Sequence, residues 1–249
     1  QDYATACVDA ADYINANGGI NGRPVEIIAN DYAYKPDKAV ELYKTYKDQG
    51  IFLIQGWGTG DTNALKALVS KDKIVYISAS YDSGINDPAK THYNFYASAS
   101  YGEAIRAAMQ FVKDSGKSKV VFIYPDHPYG KNPIPAGKAM AAELGLEVGP
   151  DQFVALNATD AVSQLTVMKQ FNPDFAWIGG TVASTAVIIK DAAKLGLDPA
   201  ELRLKNLCRE GEKKITGQRL HSVEIRRTME KALEASGYWE KKGKMGHNR

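Results

Sequence analysis

The sequence predicts a parallel α/β fold in which helices cover both faces of the sheet. Short apolar runs recur along the first 200 residues, and amphipathic helical patterns separate them. Most of these runs are continuously apolar, which is typical of parallel strands that are buried on both sides. The composition is that of a globular protein, with 44% hydrophobic and 24% charged residues in a chain of 249. No run of about 18 apolar residues predicts a membrane span.

Residues 1–118 alternate between helical and strand patterns, and each pattern has a local signal. Tyr3, Cys7, Ala10 and Ile14 recur at helical spacing and predict a first helix, which Gly18 ends. The following elements are, in order, a buried strand at 25–29, a helix at 35–50 with Pro36 in its first turn, a strand at 51–55, a helix capped by Asp61 or Thr62, a strand at 73–80, a short segment at 93–98 and a helix at 101–116.

Residues 119–200 continue the alternation, and residues 201–249 depart from it. The predicted elements are, in order, a strand at 119–124, a proline-rich loop from Pro125, a helix at 136–144, a strand at 152–156, a helix at 159–173, a strand at 174–180 and a helix at 181–196. After Pro199 no buried strand is predicted. One amphipathic helix remains, with Ser222 as its cap and Gly237 as its end.

The distribution of charge argues against a nucleic-acid partner. Residues 1–200 carry 18 basic and 22 acidic side chains, whereas residues 201–249 carry 13 and 7. Nucleic-acid binding requires a basic surface, which the larger part lacks, and the basic end is interpreted as solvated surface. The two cysteines, Cys7 and Cys208, stand in no metal-binding spacing. We therefore predict neither a metal site nor a cofactor.

The stretch IFLIQGWGTGDTNALKALVS, at 51–70, joins a predicted strand to a predicted helix through a glycine-rich turn. Its glycines read Gly56-x-Gly58-x-Gly60, so the third is one position too early for a dinucleotide-binding motif. A phosphate-binding loop needs a lysine after its last glycine, and Asp61 stands there instead. An enzyme that uses this turn for a phosphate stays as a less favoured alternative. Backbone N–H groups and hydroxyls at a helix start suit a small carboxylate better.

No constellation of catalytic residues emerges from the sequence. The nucleophile motif GxSxG is absent, and no group of histidines and carboxylates has metal-ligand spacing. His127 lies near Asp126 and Tyr129, but a loop histidine beside prolines is more often solvated than catalytic. We therefore predict a binding protein with no catalytic residues.

The carboxyl ends of the predicted strands favour a ligand site. In an open parallel α/β sheet, ligands bind beyond these ends. The ends here read QGWGTGD, SASYD, YPDHPYG and GGTVAST, which are rich in hydroxyls, small residues and aromatic rings. Trp57, Tyr81 and Tyr129 are candidates for apolar walls of the site.

The opening of the chain carries a specific resemblance. It contains YINANGGINGRPVEIIANDYAYKPDKAVELYKTY, followed by FLIQGWGTGDTNAL, IVYISAS and IYPDHPYGK. These phrases resemble bacterial periplasmic ligand-binding proteins of the branched-chain amino acid type, which are the solute receptors of ABC importers. The resemblance covers about residues 1–200.

The resemblance implies a type I periplasmic binding fold with two α/β lobes joined by a hinge. Lobe one would span residues 1–118, with its first strand expected before Gln1. Lobe two would occupy residues 119–200 in part, and residues 201–249 form an atypical basic tail. Both lobes are therefore expected to be incomplete. The ligand-binding residues that the resemblance implies are Thr59, Gly60, Asp61, Thr62, Ala79, Ser80, Tyr81, Tyr129 and Thr181.

The implied function is capture of a small carboxylate, such as an amino acid, between the two lobes for delivery to an ABC transporter permease. Trp57 departs from branched-chain amino acid specificity, because a flat aromatic ring suits an aromatic acid, an amide or a larger acid, and it is included among the ligand-binding residues. The implied location is periplasmic or extracellular, with a lipid anchor expected, if any, outside this chain. A ligand-sensing regulatory domain of the same fold is the alternative.

Overall fold

The structure is a computed structural model. It describes residues 2–85, 87–194, 200, 204, 210–211, 219, 221 and 224–241. The chain forms two compact units of packed residues. Unit 1 comprises residues 1–79 and 88–95, and unit 2 comprises residues 80–87 and 96–249. No helix in the described residues is long and apolar enough to cross a membrane.

Unit 1 contains a three-stranded parallel sheet and three helices. Its elements are α1 (Asp2–Ala16), α2 (Pro36–Asp48), β1 (Leu53–Gln55), α3 (Thr59–Asp72), β2 (Val75–Ile77) and β3 (Asn94–Phe95). The strand order is β1-β2-β3, and Ile54 lies opposite Tyr76 in the ladder. Helices α2 and α3 pack together, and their buried Tyr43, Leu65 and Val69 form the core with Tyr76. The turn after β1 and the end of β2 therefore lie beside the same buried core.

The strand predicted at 25–29 is wrong. The segment is not part of any ladder among the described residues, and its Ile27 and Ile28 side chains are exposed. A strand requires a neighbouring strand for its backbone hydrogen bonds, and apolar residues alone do not supply one. At Val25, the side chain of Asn15 makes the hydrogen bonds that a neighbouring strand would make. The Asn15 amide donates to the Val25 carbonyl oxygen at 2.8 Å, and its Oδ1 accepts from the Val25 N–H at 2.7 Å.

Unit 2 is organised around one long central strand. Its elements are α4 (Tyr101–Asp114), β4 (Lys119–Tyr124), α5 (Pro128–Lys131), α6 (Ile134–Glu143), β5 (Glu147–Val148), β6 (Gln152–Phe153), α7 (Val162–Phe171), β7 (Phe175–Ile178), α8 (Val182–Lys194), α9 (Ile225–Ala235) and α10 (Tyr238–Lys241). Strand β4 pairs in parallel with β5, β6 and β7. The carboxyl ends of these strands therefore point the same way.

Strand β4 is buried on both faces because helices cover both sides of its sheet. Val120 and Phe122 pack with α4 and α6 on one face, whereas Val121 and Ile123 pack with α7 and α8 on the other. Successive side chains of a strand alternate between faces, so one continuously apolar strand contributes side chains to two cores. The predicted parallel fold with helices on both faces is thus confirmed in unit 2.

Several local predictions need correction. Helix α3 has Gly58 as its N-cap, and Asp61 and Thr62 lie inside its first turn instead of capping it. Part of the predicted proline-rich loop forms the short helix α5, since Pro128 suits a first helical position. Strand β5 was not predicted. Helix α9 follows Glu224, and the predicted cap Ser222 lies outside the described residues.

The contacts place α4 in unit 2, because it packs against α6. The resemblance, in contrast, implies that this helix belongs to lobe one. The compact units are defined by packing, and the division into lobes at 1–118 and 119–200 stays a prediction. The predicted tail, residues 201–249, lies mostly outside the described residues except for α9, α10 and a few positions before them.

Candidate functional site

The glycine-rich turn of unit 1 is tightly packed against aromatic side chains. A Cβ atom on Gly56 would collide with the hydroxyl and ring of Tyr76. A Cβ atom on Gly58 would collide with the Tyr34 ring and would lie 2.6 Å from Asp61 Oδ1. Neither glycine has a positive φ. These two glycines are therefore required by close packing, and the turn brings the start of α3 against Tyr34 and Tyr76.

Asp61 is buried in the first turn of α3 and pairs within unit 1. Its Oδ2 accepts hydrogen bonds from the Gly58 N–H at 3.2 Å and from the Tyr76 hydroxyl at 3.3 Å. Burial and the negative charge of Asp61 raise the pKa of the Tyr76 hydroxyl above its ordinary value of 10.0. The same two causes raise the pKa of Tyr32. Both tyrosines therefore stay neutral near the carboxylate at this helix N-terminus, and Tyr76 donates a hydrogen bond to it.

Thr62 links the start of α3 to the end of β2. Its hydroxyl donates to the Gly58 carbonyl oxygen at 2.5 Å and lies 2.7 Å from the Ser78 hydroxyl. Both side chains are fully or almost fully buried. Sequence reasoning missed Tyr76 and Ser78 as members of this network. Their alternate positions on one strand could have indicated them, because residues i and i+2 share a face.

Trp57 lies at the surface of unit 1, and the residue is 47% exposed. Its ring packs on that of Tyr3 in α1, with 4.7 Å between the ring centroids and 56° between the planes. The indole is thus held by an aromatic neighbour while part of it stays accessible. A half-exposed, supported ring of this kind can pack against a flat or apolar part of a ligand.

In unit 2, the predicted residues Tyr81 and Tyr129 are joined by Tyr101. The Tyr101 ring lies edge to face with Tyr81 at 5.7 Å and with Tyr129 at 5.5 Å between centroids. The Tyr129 hydroxyl donates to the Gly180 carbonyl oxygen at 3.3 Å. Burial, followed by the proximity of Tyr101, raises the pKa of Tyr129. Sequence reasoning missed Tyr101, which it assigned only to the start of a helix.

Thr181 follows Gly180 at the start of α8. Its N–H donates to the Ser184 hydroxyl oxygen at 3.0 Å, and the two hydroxyls lie 3.2 Å apart. The structure thus brings Tyr81, Tyr129 and Thr181 into one neighbourhood of unit 2 through Tyr101 and Gly180. Ser80 is buried in the same unit. The remaining predicted residues lie in unit 1: Trp57, Thr59, Gly60, Asp61, Thr62 and Ala79.

His127 has a local structural role as the N-cap of α5. Its Nδ1 accepts a hydrogen bond from the Tyr129 N–H at 3.2 Å. Nearby, Asp126 pairs with Lys131. A cleft of about 350 Å³ beyond β4 and β6 is lined by Asp126, His127, Pro125 and residues 153 and 155–157, and it includes none of the predicted ligand-binding residues. In the part of the chain that the structure describes, no group of three or more histidines, cysteines and carboxylates is arranged to hold a metal ion.

The chain is similar to several known proteins. Leu/Ile/Val-binding protein homolog 1 from Brucella suis is 24% identical over 190 residues, which are 74% of this chain and 50% of that protein. The chain thus spans about half the length of the curated relatives it matches. A branched-chain amino acid ABC transporter structure from Thermus thermophilus with bound valine has a TM-score of 0.75 and 25% identity. The match covers 78% of this chain and 52% of that one.

An ABC transporter substrate-binding protein from Aeropyrum pernix is 31% identical with a TM-score of 0.70, over 92% of this chain and 65% of that one. A sequence model of the family described as "periplasmic binding protein" matches residues 1–214, which is most of the chain. These matches confirm the resemblance that the opening phrases indicated. The chain belongs to the periplasmic binding protein family and has its type I fold of parallel sheets and helices.

Proposed function

We propose that this chain is part of a solute-binding protein that captures a small carboxylate, such as an amino acid, for an ABC importer. The family match over residues 1–214 carries the proposal. It is supported by the structural similarity to a protein with bound valine. A periplasmic or extracellular location and an ABC transporter permease as partner follow from the same proposal, and the lipid anchor stays a prediction.

We assign the carboxylate of the ligand to the first turn of α3. Thr59 and Gly60 are the first two helical residues, and amides at a helix start attract anions. The Asp61 carboxylate and the Thr62 hydroxyl already make hydrogen bonds inside unit 1. Their side chains therefore position the turn, and their contribution to the ligand comes through the backbone and through the shape of the turn. Ala79 and Ser80, shortly after β2, are the next proposed contacts.

We assign the aromatic contacts of the ligand to Tyr81 and Tyr129, with Thr181 as a hydroxyl contact. Tyr129 is partly buried, and its hydroxyl is fixed on Gly180. Trp57 favours aromatic acids as a second class of ligand, because its ring is half-exposed and supported by Tyr3. Binding needs no bond-breaking chemistry, and His127 is engaged as a helix cap. The proposed role is therefore that of a receptor and not of an enzyme.

Isothermal titration calorimetry of the 249-residue chain tests the proposal. L-leucine, L-valine, benzoate and 4-hydroxybenzoate are titrated separately, with ATP and NAD as probes of the enzyme alternative. We expect saturable heat from one of the four carboxylates and none from the nucleotides. Binding of a nucleotide with no response to any carboxylate would contradict the receptor and favour a phosphate site at the Gly56–Gly60 turn.

A variant pair locates the site. Trp57→Ala should weaken binding of a benzoate more than binding of leucine, because only the benzoate offers a flat ring to the indole. Tyr13→Ala is the matched control, since Tyr13 is an exposed aromatic residue of α1 in the same unit. Equal affinities of both variants and the parent chain for every carboxylate would remove Trp57 from the proposed site.

A further inference from the structure

Four tyrosines form a continuous row in unit 2. Tyr96 contacts Tyr81 at 5.8 Å between centroids, Tyr81 contacts Tyr101 at 5.7 Å, and Tyr101 contacts Tyr129 at 5.5 Å. The interplanar angles are 79°, 75° and 81°, so each pair is edge to face. Edge-to-face contact is a favourable geometry for aromatic rings, because the positive edge of one meets the negative face of the other. Each ring in the row thus restricts the rotation of the next.

Tyr101 stands at the centre of this row and is itself firmly held. It is the first residue of α4, directly after the N-cap Ser100. The Ser100 hydroxyl accepts from the Glu103 N–H at 3.2 Å, and the Glu103 carboxylate accepts from the Ser100 N–H at 2.7 Å. The Tyr101 N–H donates to the Tyr81 carbonyl oxygen at 2.8 Å. The capping box therefore fixes the backbone of Tyr101, and Tyr101 in turn fixes Tyr81 through both backbone and ring.

Tyr129 reaches the row from a different segment, at the start of α5. Its N–H is bound to His127 Nδ1, and its hydroxyl is bound to the Gly180 carbonyl oxygen. The Tyr101 ring is its aromatic neighbour. Tyr101 therefore contacts both Tyr81, in the loop after β2, and Tyr129, which follows β4. It holds these two rings in one arrangement.

We propose that Tyr101 is a positioning residue for ligand binding, which fixes the rings of Tyr81 and Tyr129 before the ligand arrives. This inference rests on the proposed function, since Tyr81 and Tyr129 must contact the solute for it to matter. A ring that is already immobile loses little rotational freedom on binding, so the affinity is higher than for mobile rings. Because two rings are held, removal of the Tyr101 ring should weaken binding about tenfold.

Three variants separate positioning from simple packing. Tyr101→Leu removes the aromatic contacts, Tyr101→Phe keeps them and removes only the hydroxyl, and Tyr13→Leu is a control in unit 1. Affinity for L-leucine, L-valine and 4-hydroxybenzoate is measured by calorimetry, and the folded state is checked by circular dichroism. We expect Tyr101→Leu to bind about tenfold more weakly, whereas Tyr101→Phe and Tyr13→Leu should stay within about twofold of the parent chain.

The ring signals of Tyr81 and Tyr129, followed by NMR of the ligand-free chain with labelled tyrosine, give a second readout. Tyr101→Leu should speed the flipping of both rings, and Tyr101→Phe should leave the flip rates nearly unchanged, because only the first variant removes the ring contacts. If Tyr101→Leu does not fold, Tyr101→Met is judged by the same criteria. A folded Tyr101→Leu or Tyr101→Met chain that binds within twofold of the parent chain overturns the inference.

The two proposals fail in different ways. If the parent chain binds none of the three probes, the proposed function fails for these ligands. The NMR readout then decides the inference alone: faster flipping of the Tyr81 and Tyr129 rings in Tyr101→Leu supports the positioning role, and unchanged flip rates overturn it.

Discussion

The N–H of Gly58 donates a hydrogen bond to the carboxylate of Asp61, with 3.2 Å between the nitrogen and Oδ2. The N-terminus of α3 is thus capped by a carboxylate of the chain itself. The Tyr76 hydroxyl donates a second hydrogen bond to this carboxylate. The repulsion between this buried carboxylate and an anion grows with the charge of the anion, so it is larger for a polyphosphate than for the single carboxylate of the proposed ligand. The same arrangement leaves the turn rigid, which suits recognition of a small ligand by backbone groups.

Replacing Asp61 should destabilise unit 1. Asp61→Ala leaves the Gly58 N–H and the Tyr76 hydroxyl without their buried acceptor, which costs about 1–3 kcal/mol of the free energy of unfolding. Asp61→Asn keeps one acceptor oxygen and should cost less. Urea unfolding followed by circular dichroism measures both. Asp9→Asn, at an exposed position of α1, should change the free energy by less than about 0.5 kcal/mol. An Asp61→Ala chain as stable as the parent would contradict the network.

Two glycine substitutions should act in opposite directions. Gly56→Ala forces a methyl group into the Tyr76 ring and hydroxyl, so we expect a loss of about 1–3 kcal/mol through overpacking. Gly102→Ala lies inside α4, where the new Cβ would be 3.6 Å from the Ala136 Cβ, an ordinary contact. Because alanine favours the helix, this control should be neutral or more stable by up to about 1 kcal/mol. Thermal unfolding of the two variants compares them directly.

Gly137 of α6 faces Ile105 of α4. A Cβ on Gly137 would lie 2.6 Å from Ile105 Cδ1, so Gly137→Ala should cost about 1–3 kcal/mol. Ile105→Val removes that methyl group and alone should cost about 0.5–1.5 kcal/mol. The double variant should be more stable than the sum of the two losses predicts, because the shortened side chain makes room for the new methyl. Strict additivity in a urea-unfolding cycle would count against this contact.

Asp174 should make the stability of unit 2 depend on pH. Its Oδ2 accepts from the N–H groups of Ser118 and Lys119, both at 3.0 Å, and these bonds lower the pKa of the carboxyl from its ordinary value of 3.8. A carboxyl whose pKa is lower in the folded state contributes stability above the unfolded-state pKa, and this contribution is lost as pH falls through the folded-state pKa.

The parent chain should therefore be more stable than Asp174→Asn at pH 7. The difference should begin to narrow as pH falls below about 4, near the unfolded-state pKa, and should close below the lowered folded-state pKa. Urea unfolding at a series of pH values between neutral and acidic measures the difference. Asp12→Asn, which removes one exposed charge from α1, controls for the change in net charge. A difference between parent and Asp174→Asn that stays constant over this range would contradict the assigned hydrogen bonds.

Much of the fold could be predicted because its signals are local. The run KVVFIY is apolar at every position but the first, and β4 is indeed buried on both faces between two pairs of helices. The segment at 25–29 has a similar apolar run and fails as a strand, since pairing depends on which neighbour the fold supplies. Strand β5, with two residues, is too short to leave a periodic pattern in the sequence.

The candidate site was harder to predict than the fold, because tertiary contacts determine how its side chains are arranged. The sequence placed Asp61 and Thr62 at the start of α3 but not the partners that bury them, Tyr76 and Ser78. It identified Tyr81 and Tyr129 from the ends of strands but not Tyr101, whose position between them depends on how α4 packs. Helical periodicity indicates which face of α4 is buried. It does not indicate where the ring of the first residue of α4 lies.

The pairing of Asn15 with Val25 has a consequence for solvent exchange. One side chain here supplies both hydrogen bonds that a neighbouring strand would supply, and it does so for a single residue. The Val25 amide should therefore exchange with deuterium slowly, whereas the amides of residues 26–30, which belong to no ladder in the described chain, should exchange fast. In Asn15→Ala, the Val25 amide should exchange as fast as those that follow it.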